Sequence, residues 1–309
     1  MAKKVIMDVD TGIDDAIAIL LAIASKDIDL LGITTVSGNI NRDQASINTA
    51  RILKKFGYEN IKIYKGSKNP IKYKLHEAKH IHGNNGLSNL LENVEIDKNS
   101  FGDAFKFLER SIRKYGKDLT LVLTGPQTNL AKLLDKKPYL TDLIGKVIIM
   151  GGAIDGKGNR TLTSEYNIFV DPHAAYNVFH SRIKDIHLIS LDVTHKALLY
   201  YEDIEKIKNK KLSKFLIKLT SEYMDMQEIK KGKRAFIMHD PLTILYCINE
   251  NILKTSKKYV TVERIGEFTR GMTICDYNNR LKKEKNINIS IDIKKALYKD
   301  LLIKTFNNF

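Results

Sequence analysis

Near the N-terminus, one acidic turn joins an apolar run typical of a strand to a run typical of a helix. The stretch is Lys3-Lys4-Val5-Ile6-Met7-Asp8-Val9-Asp10-Thr11-Gly12-Ile13-Asp14-Asp15-Ala16. The apolar run ends in acid, the chain turns on Thr11-Gly12, and residues 16–24 then predict a helix. Four neighbouring carboxylates repel one another unless a cation binds or some of them stay protonated. Because every ligand in this turn is an oxygen, the pattern favours a Ca²⁺ or Mg²⁺ site.

A helix start explains part of this acidity without a metal. Asp14 and Asp15 would cap the helix and complement its dipole. Asp8 shares a side of its strand with Asp10, where it would serve the structure or support the ligands from behind. Capping accounts for one or two acids only, so we expect a metal site.

Length and composition indicate a globular protein with a substantial core. The chain has 309 residues, of which 43% are hydrophobic, and this length fits one large α/β domain or two smaller ones. The apolar runs are too short for a signal peptide or a membrane span. Cys247 and Cys275 have no metal-ligand spacing, which is typical of a reducing cytosol, and we expect a cytoplasmic protein.

The formal net charge of +15 raises nucleic acid as a partner class. The lysines are scattered, however, and alternate with Asn and Ile rather than with aromatic residues that stack on bases. The lysine-rich segments 206–218, 230–234 and 282–285 are typical of solvated helix faces and loops. We therefore predict neither a nucleic-acid nor a membrane partner.

Strands and helices alternate over the first two thirds of the chain. After the opening strand, strands are predicted at 29–36, 61–64, 119–124, 146–150 and 187–191, and helices at 41–56 and from Gln127. This alternation predicts an α/β fold with a single open, mostly parallel sheet and helices on both faces, a Rossmann-like core. No repeat or linker interrupts it, so we expect one domain over residues 1–309.

Ligands bind outside the carboxyl ends of the strands in such sheets. Here these ends carry Asp10, Asn39, Thr124 and the turn Met150-Gly151-Gly152. We expect them to converge on a single rim, although they are distant in sequence.

Two connecting segments are unlike ordinary turns. Residues 73–87 are polar and long enough for a mobile loop over the site. Their histidines, His76, His80 and His82, would bind a second metal, contact the substrate through one ring, or be solvated, and we favour the substrate contact.

The other segment, residues 156–167, opens on glycine and ends in Glu165-Tyr166-Asn167. In an extended conformation, Glu165 and Asn167 point to the same side and can hydrogen-bond a polyhydroxyl ligand. Asn159 fits an Asx turn.

The C-terminal third is predicted to be more helical. Residues 212–230 predict an amphipathic helix with Tyr223 and Gln227 on one face. His239-Asp240-Pro241 opens an apolar helix at 242–248, a common cap arrangement that gains weight once the acidic turn needs another ligand. Late strands are predicted near 260–265 and 287–291, and a closing helix at 293–306.

Six motifs resemble, in order, those of the inosine-uridine preferring nucleoside hydrolase family. They are residues 8–16 of the acidic turn, Val36-Ser37-Gly38-Asn39, Thr124-Gly125-Pro126-Gln127-Thr128-Asn129-Leu130-Ala131, Met150-Gly151-Gly152, Glu165-Tyr166-Asn167 with Asp171-Pro172, and His239-Asp240-Pro241. The resemblance spans essentially the whole chain. It implies the nucleoside hydrolase fold and a Ca²⁺ enzyme that hydrolyses ribonucleosides to ribose and free base.

The resemblance also implies roles for the matching positions. Ca²⁺ would be held by Asp10, Asp15, the Thr124 carbonyl and Asp240, and Asp10 would take the proton from a metal-bound water that attacks the anomeric carbon. Asp14 joins the catalytic residues because carboxylates near the ribose stabilise an oxocarbenium-like transition state. The positions implied to bind ribose or line the pocket are Asp14, Asn39, Met150, Asn159, Glu165, Asn167 and Asp240.

The departing base needs a proton or a hydrogen bond, which a histidine can supply. We assign this role to His239, with His82 as a second contact. Tyr223 and Gln227 lie where family members differ in base preference, and Lys231 stands where some pyrimidine-preferring members carry Tyr. This mixture leaves uridine, cytidine and inosine open as substrates. The resemblance further implies a homodimer or homotetramer.

Two other interpretations stay open. Asp8-Val9-Asp10-Thr11 also fits the nucleophile motif of haloacid-dehalogenase-like phosphatases, in which Asp8 would attack phosphorus beside Mg²⁺. Against it, the second acid pair follows too soon, and no later Lys with paired Asp is evident. A non-catalytic nucleoside- or sugar-binding protein would need the same pocket without a water activator, whereas Asp10, Asp15 and Asp240 are retained.

Overall fold

The computed structural model describes residues 2–232 and 234–309, except for the side chains of Lys230 and Lys231. Lys233 of the lysine-rich segment and the Lys231 side chain of the predicted base pocket therefore lie outside the described residues. The strands are β1 (Lys3–Val9), β2 (Ile28–Thr35), β3 (Ile63–Lys65), β4 (Gly102–Asp103), β5 (Leu119–Leu123), β6 (Lys146–Met150), β7 (Ile186–Ile189), β8 (Leu198–Tyr200), β9 (Ala235–Ile237), β10 (Leu253–Val262), β11 (Thr273–Asp276) and β12 (Ile287–Ile293).

Helices connect most of these strands. They are α1 (Ile13–Ala24), α2 (Arg42–Phe56), α3 (Lys79–His82), α4 (Ala104–Tyr115), α5 (Thr128–Lys136), α6 (Tyr166–Val170), α7 (Pro172–Phe179), α8 (Leu191–Thr194), α9 (Tyr201–Glu205), α10 (Lys210–Lys231), α11 (His239–Ile248) and α12 (Lys295–Phe306). Short 3₁₀ helices lie at Gly116–Asp118, Pro138–Asp142 and Glu250–Ile252. Within the described ranges, no helix has both the length and the apolarity that a membrane crossing requires.

Ten strands of the described chain form one sheet in the order β11-β10-β12-β7-β6-β5-β1-β2-β3-β4. All neighbours from β12 to β4 in this order pair in parallel. β10 runs antiparallel to both β12 and β11, and β8 and β9 form a separate antiparallel pair. The predicted open, mostly parallel α/β sheet is confirmed.

Alternate residues of β1 face two different cores, which is why helices cover both faces of the sheet. Val5, Met7 and Val9 pack in one apolar cluster with α1, whereas Ile6 packs in the other with residues of α4, α5 and α7. Helix α1 is apolar on nearly every side because α10, α11 and α12 enclose it. The contact between α1 and α11 matters for the site, since both helices start at its edge.

Some boundaries differ from the sequence prediction for local reasons. Leu191 begins α8 instead of ending a strand, and β10 ends at Val262. Residues 165–167 are not extended, because Glu165 is the N-cap of α6. The strands β4, β8, β9 and β11 are not predicted from the sequence, because two to four residues carry too little alternation. Helix α4 is also not predicted, although its buried Phe107, Leu108 and Ile112 have helical spacing.

Candidate active site

A cavity of about 230 Å³ lies at the carboxyl ends of β1, β2, β5 and β6. This is the rim on which strand order places ligands in an open α/β sheet. Every residue with a predicted substrate contact lies in its lining, namely Asp14, Asn39, His82, Met150, Asn159, Glu165, Asn167, Tyr223, Gln227, His239 and Asp240. The structure thus brings together side chains from the whole length of the chain.

Two buried carboxylates, Asp14 and Asp240, line the cavity, and we call them, together with the neighbouring Asp10 and Asp15, the acidic floor. Asp14, Asp15 and Asp240 each offer an oxygen, and these oxygens all lie within 4.8 Å of one another. Asp14 and Asp15 lie in the first turn of α1, and Asp240 lies in the first turn of α11. Asp10 follows β1, is fully buried and touches the group through the carboxyl of Asp15. Packing of α1 against α11 therefore completes the floor.

Fixed donors hold two acids of the floor. The Asn39 backbone N–H donates to Asp10 Oδ2 over 2.6 Å, and Asn39 Nδ2 lies 3.3 Å from Asp10 Oδ1. Asp15 accepts from the Gly12 N–H over 2.9 Å and from Thr124 Oγ1 over 2.7 Å. Each of these donors favours the ionised carboxylate.

Burial works against ionisation and raises the pKa of every acid in the floor. It raises the pKa values of Asp14 and Asp15 to about 6, with repulsion from Asp14 adding to the effect at Asp15. Burial and repulsion between the acids also hold the pKa values of Asp10 and Asp240 well above the usual range. Asp14 Oδ1 is buried without a hydrogen-bond partner among the described residues. An all-oxygen set with an unpartnered buried carboxylate atom fits a hard divalent cation.

The predicted metal ligands are placed unequally around this set. Asp15 and Asp240 belong to the close group, whereas Asp10 lies just outside it and Asp14, predicted for ribose, lies inside it. The Thr124 carbonyl, also a predicted ligand, accepts from Asn167 Nδ2 over 2.6 Å. The metal candidates and the ribose candidates are therefore in direct contact.

Helix α6 presents the ribose candidates, not an extended segment. The Glu165 carboxylate accepts from the backbone N–H groups of Gly152, Asn167 and Ile168 at 3.0, 2.8 and 3.1 Å. Asn159 Oδ1 accepts from the Tyr166 N–H over 2.9 Å and so satisfies the first backbone N–H of the same helix. Glu165 thus lies at the cavity wall with its oxygens oriented by the backbone.

The histidines are separated by the fold. His82 is buried, and its Nδ1 accepts from the Ile13 N–H over 3.1 Å. Burial lowers the pKa of His82 to about 4, so its ring is neutral at pH 7. His80 lines the cavity, whereas the His76 ring lies 6.3 Å from that of Phe169.

His239 is in contact with two residues that follow β7. Its Nδ1 lies 2.8 Å from Thr194 Oγ1, and its ring meets that of His195 at 5.7 Å. Neither Thr194 nor His195 is singled out in the sequence. They follow β7, so the rule that ligands gather at strand ends offered a signal for both.

Another part of the lining, which we call the helical wall, is formed by Tyr223, Met226 and Gln227 of α10 with Phe236 of β9. The rings of Tyr223 and Phe236 lie 4.7 Å apart. The Tyr223 hydroxyl also bonds to the Gln227 side chain. Met226 and Phe236 are missed by sequence reasoning, because an apolar residue on a helix or strand looks like core until its surroundings are known.

Comparison with known proteins agrees with this geometry. The model of the family described as inosine-uridine preferring nucleoside hydrolase matches residues 5–300. Pyrimidine-specific ribonucleoside hydrolase RihA of Salmonella schwarzengrund is 35% identical, over 98% of this chain and 97% of the relative. The chain belongs to the inosine-uridine preferring nucleoside hydrolase family. It is an N-glycosyl hydrolase of the ribonucleoside hydrolase type.

Solved structures share the fold over nearly the full length. The plant nucleoside hydrolase PpNRh1 superposes with a TM-score of 0.92 at 26% identity and covers 99% of both chains. A purine-preferring ribonucleoside hydrolase from Gardnerella vaginalis gives 0.89 at 33% identity, over 99% of this chain and 98% of the other. The predicted nucleoside hydrolase fold is confirmed.

Proposed function

We propose that this chain hydrolyses the N-glycosidic bond of pyrimidine ribonucleosides, inosine or both, with Ca²⁺ bound at the acidic floor. The observation that carries the proposal is the convergence of three buried carboxylates, two of which line a cavity that also presents hydrogen-bonding side chains. Asp10, Asp15, the Thr124 carbonyl and Asp240 would hold the ion. Bound there, the cation supplies electrostatic activation of the attacking water and orients the ribose.

Calcium is favoured over magnesium by the form of the site. Its candidate ligands are carboxylates and one carbonyl, and they come from separate elements, the ends of β1 and β5 and the starts of α1 and α11. Calcium accepts irregular and bidentate oxygen ligation, whereas magnesium requires near-ideal octahedral geometry and retains its waters.

Asp10 is the proposed general base. It is fixed by two donors of Asn39 and contacts Asp15 of the floor. Asp14 and Glu165 line the cavity on either side, where ionised carboxylates would stabilise positive charge that develops on the ribose ring.

His239 is the proposed donor to the departing base, and Thr194 sets its ring orientation through Nδ1. His82 has a different part. Because its Nδ1 accepts from the Ile13 N–H, the neutral ring carries its proton on Nε2 and donates a hydrogen bond rather than a proton at pH 7.

The phosphatase alternative loses its nucleophile in this structure. Asp8 is 1% exposed, and its carboxylate accepts from Thr34 Oγ1 at 2.5 Å and Asn129 Nδ2 at 2.7 Å. A buried acid tied to two neighbours supports the floor from behind and is not placed to attack phosphorus.

Base preference follows from the helical wall and is open between two classes. The relatives include a pyrimidine-specific hydrolase and a purine-preferring one by name. Here Tyr223 and Gln227 combine an aromatic face with an amide, which suits stacking and hydrogen bonding with either kind of base.

The deciding experiment measures free base and reducing sugar released from uridine, cytidine, inosine, adenosine and thymidine, with and without a chelator. We expect release from ribonucleosides that a chelator abolishes and calcium restores. Activity that survives chelation would remove the metal from the proposal. Hydrolysis of a phosphate ester alone would favour the phosphatase, and binding without turnover would favour a binding protein.

Three further features belong to this proposal. The parallel sheet that runs through the chain supports a single domain over residues 1–309, and the unpaired cysteines support a cytoplasmic enzyme. The family resemblance supports a homodimer or homotetramer, which light scattering coupled to gel filtration measures directly.

A further inference from the structure

Tyr166 stands between two site residues in sequence, yet its hydroxyl reaches other loops. Its Oη lies 2.7 Å from the Gly38 carbonyl oxygen and 2.6 Å from the His76 carbonyl oxygen. One hydroxyl hydrogen is thus shared between two acceptors. Burial raises the pKa of Tyr166, so the hydroxyl stays protonated and acts as a donor.

The first of these acceptors belongs to the peptide group that holds Asp10. The Gly38 carbonyl and the Asn39 N–H are two ends of one peptide, and this N–H donates to Asp10 Oδ2 over 2.6 Å. The Tyr166 hydroxyl, the peptide and the Asp10 carboxylate therefore form one chain of hydrogen bonds. Bonds in such a chain polarise and strengthen one another.

Packing leaves this peptide little freedom. A Cβ placed on Gly38 would collide with Asp10 Oδ2, so the backbone approaches the carboxylate as closely as glycine allows. The bond from the Tyr166 hydroxyl to the His76 carbonyl brings residues 76–78 to the same loop. There, the Ala78 N–H donates to the Asn39 carbonyl over 2.9 Å. The two peptide groups that flank Asn39 are therefore both held, one by the Tyr166 hydroxyl and the other by the Ala78 N–H.

We propose that Tyr166 is a positioning residue for Asp10, whose hydroxyl orients the Gly38–Asn39 peptide so that its N–H meets the carboxylate. This inference rests on the proposed function for its effect on catalysis, but not for its effect on the peptide. Glu165, Tyr166 and Asn167 all line the cavity at the start of α6, and the Tyr166 hydroxyl links that helix to the loop after β2. Tyr166 thereby keeps the ribose candidates of α6 in a fixed position relative to Asp10, the proposed general base.

The test compares Tyr166→Phe with Tyr73→Phe. Tyr73 is a matched control, because its hydroxyl also donates to a carbonyl, that of Arg264, over 2.7 Å and also secures residues 73–87, but it does not touch the Gly38–Asn39 peptide. Calcium binding is measured by calorimetry without substrate, and kcat and KM are measured on the best nucleoside. The Asn39 amide proton is followed by NMR, which needs no metal.

For Tyr166→Phe we expect calcium affinity and kcat each to fall about fivefold to tenfold, the scale of one hydrogen bond, with KM within about twofold of wild type. The Asn39 amide resonance should move in Tyr166→Phe and stay in place in Tyr73→Phe. Gly38→Ala, which displaces the same peptide, should weaken calcium binding at least as much.

An unmoved Asn39 resonance, or equal effects of the two Tyr→Phe variants, would overturn the proposal. So would a rise in KM with unchanged kcat and calcium affinity, because Tyr166 would then be a ribose contact. Thermal unfolding of both variants identifies any general loss of folding. If wild type cleaves no nucleoside, the proposed function fails, and the Asn39 resonance still decides the positioning role.

Discussion

The acidic floor and the helical wall belong to the same cavity and are built in different ways. The floor side chains are at most 9% exposed, and backbone or hydroxyl donors hold Asp10 and Asp15. Tyr223 and Gln227 of the wall are half-buried, and a hydrogen bond joins their side chains. A change in the floor leaves buried charge unpaired, whereas a change in the wall alters contacts to one part of the substrate. Under the proposed function, we therefore expect the floor to set the reaction and the wall to tune the choice of base.

The largest effect is expected for Asp10→Asn, which tests the role of the floor in the reaction. Loss of the proposed base should lower kcat by about 10³-fold, within the usual range for removal of a general acid or base. The exposed Asp29 supplies a control, and Asp29→Asn should behave as wild type. A variant at Asp10 that keeps more than about a tenth of the activity would place the base elsewhere.

The second prediction concerns His239, the proposed donor to the departing base. His239→Ala should lower kcat on inosine by about 10²-fold, and should have much less effect on a nitrophenyl riboside, because that leaving group departs without a proton. Steady-state rates on both substrates check this. Equal losses would show that His239 acts in binding or in structure rather than on the leaving group.

The pH dependence of stability tests the floor without any turnover. Burial raises the pKa values of Asp14 and Asp15 in the metal-free protein from 3.8 to about 6. Below pH 3.8 both carboxyls are protonated in the folded and in the unfolded state, and burial of the neutral groups carries no ionisation penalty. As the pH rises from 3.8 through about 6, the unfolded state loses these protons first, so the free energy of unfolding falls. A cation stabilises the ionised forms and removes the penalty.

Calcium should therefore raise Tm by several degrees more at about pH 7.5 than at about pH 5. Differential scanning calorimetry with calcium or with a chelator measures the difference. A gain in Tm that is the same at both pH values would argue against binding of the ion by these two carboxylates.

The smallest effect is expected at the wall. Tyr223→Phe removes the bond to Gln227 and keeps the ring against Phe236, so we expect the ratio of kcat/KM for inosine and uridine to change by about fivefold or less. Competition between the two substrates measures this ratio. Calcium affinity should be unchanged, and a variant that weakens it would show that wall and floor are coupled.

Much of the floor was predictable, because its parts are close in sequence. Asp10, Asp14 and Asp15 are gathered by a strand, a glycine turn and a helix start, and each of those elements has a local signature. The carboxyl-end rule for parallel strands then added Asn39, Thr124 and Met150 to the same rim without knowledge of the pairing. Local spacing also predicted most element types, and missed the shortest strands and helix α4.

The remaining geometry depends on how distant elements pack. Asp240 reaches Asp14 only because α11 lies against α1, and Thr194 meets His239 only because α8 ends beside the start of α11. Glu165 and Asn167 reach the cavity from a helix start although alternation suggested an extended segment. Spacing along the chain specifies which residues share a face, since backbone periodicity is local. Which faces meet is decided by burial of the two cores on either side of the sheet, and that depends on the whole chain at once.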